Sequence, residues 1–425
     1  MSSRHPARRT LPPTAAPGST GSGPRTVVRA RTPADVVAAV PYLVGFLPAR
    51  SLVLLSLRGE RRRFGLVARA DLPDTPAAAS DVASDVASAV ASDVAALTAS
   101  ICGFLLRDRP REVLALVYDE QGWGTAAPPW RDLVDAVQAE LGAHDVVVRE
   151  ALYVTATRYW SYTCPRPSCC PPGGRPVHDT ATSPVAAAYV LEGRSPVGSR
   201  EGLVARTAVR DPARAEQVGS AIAAELARLR PARRRPGSSE WLDWQRASLR
   251  SFDEVAARYV AGGAPVSEAE TVRLLVALTD VVVRDVVAVR WTRWGLAMPA
   301  PPREISDPAD AALARLTGSA HGTASQPPPD PAAEPVQHAV TRLLVDLGVS
   351  ADGEPVLAAL VLLAMQAWSC GDGAQAGVAL DRALGIDDGY RLAQLVDALL
   401  RSGLAPGWVA PLREEDETPA SDPAC

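Results

Sequence analysis

The spacing of apolar residues changes along this chain, and the changes predict its elements. Leu52 to Leu57 is a short continuous apolar run, Arg58-Gly59-Glu60 supplies a turn, and Phe64 to Ala70 returns, so a β-hairpin is expected before the break at Leu72-Pro73. Upstream, Thr32-Pro33-Ala34-Asp35 has the form of a helix start, with a capping hydroxyl, a proline in the first turn and an acid facing the helix dipole. Gly45-Phe46, with Pro48 beyond, should end that helix in a left-handed cap. Strands are expected again at Val113 to Tyr118 and Val146 to Val154, with a helix from Trp130 to Leu141 between them. Strands alternating with helices predict an α/β domain with a mixed sheet over residues 25–205.

From there the period becomes helical. Ala213 to Arg228 and Trp241 to Tyr259 are expected helices, and Ser267 with Glu270 forms a capping box that opens a third, reaching Trp291. This all-α stretch is taken as 206–297, and a Pro-rich linker as 298–334. Helices at Pro355 to Trp368, Ala374 to Leu384 and Tyr390 to Leu400 then predict a tetratricopeptide-like unit over 335–412, because Trp368 is followed by small residues where helices cross closely. The longest apolar run, Pro355 to Trp368, falls short of the ~20 residues that span a bilayer, so no membrane insertion is expected. The Asp-Val-Ala-Ser units from Asp81 place Val82, Val86, Val90 and Val94 on one stripe of a padded surface helix. The Pro-, Ser- and Arg-rich start, 1–24, and the acidic tail, 413–425, are expected to be disordered.

Composition removes whole classes of chemistry. All 44 basic residues are arginine, and asparagine is absent as well. Without lysine there is no Schiff-base amine, no phosphate-binding lysine of a Walker loop and no kinase-strand lysine. A net charge of -4 argues against a surface that tracks phosphates, so nucleic acid is not an expected partner despite the triplets Arg61–Arg63 and Arg233–Arg235. Six cysteines, three of them in one loop, do not form an evenly spaced secretory framework. With no apolar signal stretch after Arg8-Arg9, a reducing, cytoplasmic setting is expected.

Candidate chemistry is confined to two places. Cys164, Cys169, Cys170 and His178 offer three thiolates and an imidazole, the donor set of a tetrahedral zinc ion. Their spacing is unusual, because paired zinc ligands ordinarily sit two to four residues apart and adjacent cysteines are awkward to aim at one metal. A reactive thiol, or a purely structural loop stiffened by Pro165, Pro167, Pro171 and Pro172, are the competing readings. The second place is a possible ligand cleft formed by Asp71 and Asp119 at strand ends, where open α/β sheets bind ligands, with Arg158, Trp160 and Tyr162. Core packing is the competing reading for the aromatics, and capping for the carboxylates. No glycine-rich phosphate loop, nucleophile elbow or paired-histidine zinc helix occurs in the chain.

Three blocks carry a resemblance. They are Pro41-Tyr42-Leu43-Val44-Gly45-Phe46-Leu47-Pro48 with Ser51-Leu52-Val53 and Arg69-Ala70-Asp71-Leu72-Pro73; Arg158 to Tyr162 with Cys164 and Cys169-Cys170-Pro171-Pro172; and Ala367-Trp368 through Gly371-Asp372-Gly373-Ala374 to Leu384. Together they resemble the DUF4192 family, a resemblance spanning residues 25–410. It implies an actinobacterial source and an α/β part followed by helices, and it implies no activity. The expected function is therefore non-catalytic binding of a protein or small ligand, with a zinc- or thiol-dependent enzyme or regulator centred on Cys164, Cys169 and Cys170 as the rival.

Overall fold

The computed structural model describes residues 30–59, 62–73, 84–123, 128–177, 183–191, 195–292 and 334–401. The expectations for 1–24, for Val82 and the side chains of Val86 and Val90, for the linker and for the acidic tail lie outside the described residues, as does His178.

Helix α1 (Pro33–Val44) begins as its sequence requires. Thr32 accepts from the Asp35 amide and Asp35 reaches back to the Thr32 amide, while Gly45 adopts φ 88° and donates to the Pro41 carbonyl. The hairpin follows as β1 (Ser51–Arg58) and β2 (Arg63–Asp71). β1 also pairs antiparallel with β3 (Glu112–Tyr118), so it lies inside the sheet with both faces covered and reads as an unbroken apolar run. β3 and β4 (Val147–Val154) are parallel, and helix α3 (Arg131–Gly142) makes the crossover that parallel pairing demands. β5 (Arg158–Ser161) and the two-residue β6 (Arg175–Pro176) add antiparallel strands, giving a mixed six-stranded sheet in the order β2-β1-β3-β4-β5-β6.

Side-chain alternation divides this sheet into two cores. Leu52, Leu54, Val117 and Tyr153 face α2 (Ser84–Leu106) and α3, meeting Ile101, Cys102, Leu105 and Leu141. Val53, Leu55, Leu116 and Val154 face α1, together with Leu203 of α5 (Arg200–Thr207). Outside α1 lies α4 (Pro184–Leu191), where Tyr189 stacks on Tyr42 with centroids 5.3 Å apart.

The helical part comprises α6 (Pro212–Arg233), α7 (Ser239–Val260), α8 (Glu268–Leu278), α9 (Val281–Trp291), α10 (Glu334–Gly348), α11 (Leu357–Ser369), α12 (Gly373–Ile386) and α13 (Arg391–Arg401). The single helix expected to run to Trp291 is two. Asp280 accepts from the Val283 amide and so caps α9, while Gln245 holds the same carboxylate oxygen at 2.9 Å. Helices on both sides of the expected linker share one hydrophobic core, with Phe252 and Leu274 joining Leu343 and Leu360. Apolar α11 is buried nearly throughout, which accounts for its long hydrophobic run without a bilayer. No described helix is long and apolar enough to cross a membrane. The two parts of the chain meet where Ala374 and Val378 of α12 enter the α1-side core and Arg200 pairs with Asp381 at 3.0 Å.

Candidate metal centre

The cysteine loop hangs from the end of β5 and is shaped by polar groups that each hold backbone. Ser161 Oγ accepts from the Cys164 amide at 3.0 Å, and Glu150 in turn accepts from the hydroxyls of Ser161 at 2.6 Å and Thr163 at 2.8 Å. Between two prolines, the Arg166 carbonyl accepts from the amides of both Cys169 (3.1 Å) and Cys170 (2.7 Å), so the chain doubles back on itself. The return limb is fastened by Arg158 to the carbonyls of Gly173 (2.9 Å) and Gly174 (3.0 Å), by Trp160 Nε1 to the Pro172 carbonyl (2.9 Å), and by Arg175 to the Cys169 carbonyl.

This reversal brings the thiols together despite their spacing. Cys164 and Cys169 place their sulfurs 2.8 Å apart, Cys169 and Cys170 3.7 Å apart, and all three lie within 4.8 Å of one another. Zinc–sulfur bonds of about 2.3 Å in a tetrahedron set sulfurs ~3.8 Å apart, so one pair already has that spacing and the other must open by roughly 1 Å. All three cysteines are partly exposed. Their environments differ: contact with the Cys169 thiol and the Arg166 amide holds Cys164 below the usual thiol range, whereas burial, reinforced by the neighbouring thiols, pushes Cys170 up to about 12. Cys102, buried among α2 and α3, is likewise pushed up to about 12 by burial. His178 lies outside the described residues, and Val177 before it bonds the Thr157 carbonyl, at the opposite end of β5 from Cys164.

The residues proposed for a ligand cleft separate. Asp119, Trp160 and Tyr162 gather on the α3 side, where Trp160 lies beside Tyr153 across the β4–β5 pair and stacks on Trp123 with ring centroids 5.8 Å apart. Trp123 also meets Tyr162 edge-on at 5.2 Å. Asp119 is buried and accepts from Trp130 Nε1 at 2.7 Å and from the Glu120 amide at 2.9 Å, so it anchors the loop that follows β3. Among the described residues the buried Tyr153 hydroxyl has no acceptor for its proton; burial, with the Asp119 carboxylate nearby, pushes the phenol up to about 12. Asp71 is elsewhere: it is exposed and paired at 2.5 Å with Arg69, whose guanidinium lies over the Phe46 ring on the α1 side. One strand position decides this, since residues at odd and even steps point to opposite faces. Arg158 serves the cysteine loop. Trp123, Trp130, Tyr153 and Glu150 were not singled out by sequence; Tyr153 alone carried a signal, its alternation with the inward-facing Ala151.

The loop and the aromatic cluster touch through Trp160. Gly174 adopts φ 73° and packs so closely that an added Cβ would overlap the Trp160 indole. Gly174→Ala is expected to destabilise the protein by ~1–3 kcal/mol and to expose Trp160, read as a red shift in tryptophan emission; unchanged emission and melting would contradict the contact.

The family model for a domain of unknown function (DUF4192) matches residues 33–407, from the first residue of α1 to beyond α13. The chain belongs to the DUF4192 family. No curated protein and no solved structure matches it. Two of the blocks that carry the DUF4192 resemblance meet in space where the Asp372 carboxylate lies against Gly45, and within the first of them Ser51 and Asp71 are cross-strand partners. The remaining block is the cysteine loop with β5.

Proposed function

We propose that this protein is a non-catalytic binding scaffold whose cysteine loop is closed by a zinc ion held by Cys164, Cys169 and Cys170. The convergence of the three sulfurs within 4.8 Å carries the reading. Hydrogen bonds from Arg158, Trp160 and Arg175 to loop carbonyls support a stapling role, because they hold the backbone and leave the thiols to the metal. The metal would supply what a short edge hairpin lacks, a fixed loop seated on Trp160. A reducing, cytoplasmic location would keep the thiols available. The lysine-free composition supports a GC-rich genome, and membership of the DUF4192 family implies an actinobacterial source. The surfaces offered to a protein or small-molecule partner are the aromatic cluster around Trp160 and the C-terminal helices, read as tetratricopeptide-like from the close α11–α12 pair with Ala376, Ala379 and Ala383 buried.

Cobalt substitution tests the centre. Cobalt-loaded protein is expected to show intense thiolate-to-metal charge-transfer absorption, and Cys164→Ser, Cys169→Ser and Cys170→Ser should each weaken it. His178→Ala reports on the fourth position: loss of binding would assign it to that imidazole, retention to a water. Absorption that survives all three serine variants would remove the proposed site.

A further inference from the structure

We infer that the Cys164–Cys169 pair is a modification site for hydroperoxides, which convert it into a disulfide. The inference rests on the zinc reading only for its consequence, release of the metal. Geometry selects the pair. Its sulfurs lie 2.8 Å apart, inside van der Waals contact, whereas Cys169 and Cys170 are 3.7 Å apart. Cys169 and Cys170 are also consecutive residues, and a trans peptide sets their Cα atoms about 3.8 Å apart, short of the ~4.4–6.8 Å that a disulfide usually spans. The five-residue step from Cys164 to Cys169 already reverses at Arg166, so the bond closes without refolding the loop. Both residues are partly exposed, within reach of a small peroxide, whereas Cys102 is fully buried.

In the first step the Cys164 sulfur attacks the outer oxygen of the hydroperoxide. The O–O bond breaks, an S–O bond forms, and the alcohol, or water from hydrogen peroxide, leaves with a proton, giving a sulfenic acid. The Cys169 sulfur then attacks the oxidised sulfur, the S–O bond breaks, and water carries away the hydroxyl with the Cys169 proton. Two thiols lose two electrons in all and the peroxide gains them. Zinc would lose two of its three cysteine ligands in this step, leaving Cys170 alone.

The test treats the full-length protein with hydrogen peroxide and follows thiol count, metal release to a colorimetric chelator and peptide mass. The expected result is loss of two thiols, an intrachain Cys164–Cys169 disulfide mapped by mass spectrometry, release of the zinc in step with it, and reversal by a dithiol. In Cys169→Ser, oxidation should stop at a Cys164 sulfenic acid that a cyclic 1,3-diketone traps; should that variant not fold, the peptide map of the wild type decides. Thiols that stay reduced at peroxide levels that oxidise a free low-molecular-weight thiol would overturn the inference while leaving the zinc centre intact. A disulfide to Cys170 or between chains would overturn it as well. Formation of the Cys164–Cys169 bond in protein that never held zinc would support the inference and contradict the zinc reading.

Discussion

Asp108→Ala is expected to lower the unfolding free energy by about 3–5 kcal/mol, the usual cost of removing one partner of a buried ion pair. The Asp108 side chain is 3% exposed and joins the turn after α2 to both strands of the β1–β2 hairpin. It accepts from Arg58 Nε at 2.8 Å, from the Leu66 amide at 3.0 Å and from the Ser56 hydroxyl. Truncation removes the acceptor that these groups share beneath a closely fitted strand, where even the Gly65 position has no room for a Cβ. Asp108→Asn should cost less, because its amide oxygen keeps the acceptor for Ser56, Arg58 Nε and the Leu66 amide and it loses the charge and the second acceptor that meets Arg58 Nη2. Urea melts of both variants check the ordering. Equal midpoints for Asp108→Ala and wild type would contradict the buried role.

Arg382→Met carries the second large effect, ~2–4 kcal/mol, and it falls on the junction between the sheet and the helical core. The Arg382 guanidinium leaves α12 and donates to the Thr207 carbonyl at the end of α5, to the Gly348 carbonyl at 2.7 Å and to the Ala351 carbonyl at 3.4 Å. A helix C-terminus, a loop and a second helix end are therefore tied by one planar cation, which methionine matches in length but not in donors. Because Ala374 and Val378 of the same helix pack into the α1-side core, the variant should separate the unfolding of the two parts. Calorimetry is expected to show one transition in wild type and two in Arg382→Met. A single transition at an unchanged temperature would contradict the junction.

Local signals were the legible ones. Thr32 with Asp35 and Ser267 with Glu270 form both halves of their capping boxes, Gly45 takes its left-handed turn, and β1 to β4 begin and end within a residue or two of their apolar runs. What escaped depends on contacts distant in sequence. The break before α9 rests on Asp280, whose capping carboxylate is also held by Gln245 from another helix. The amphipathic pattern of Val and Leu continues across that break and gives no hint of it. Gaps of four, none and seven residues weighed against a shared ligand, since linear spacing takes no account of one carbonyl, Arg166, folding two amides back toward Cys164. The cleft grouping failed at Asp71 for a discrete reason, because its strand position turns it to the side of Arg69 and Phe46, away from Asp119.

The zinc content of full-length protein, expressed and purified without chelator and measured by elemental analysis against protein concentration, tests the centre most directly. About one zinc per chain is expected, falling below about 0.1 in the Cys164→Ser/Cys169→Ser double variant. Wild-type protein with less than about 0.1 zinc per chain and all its thiols reduced would contradict it.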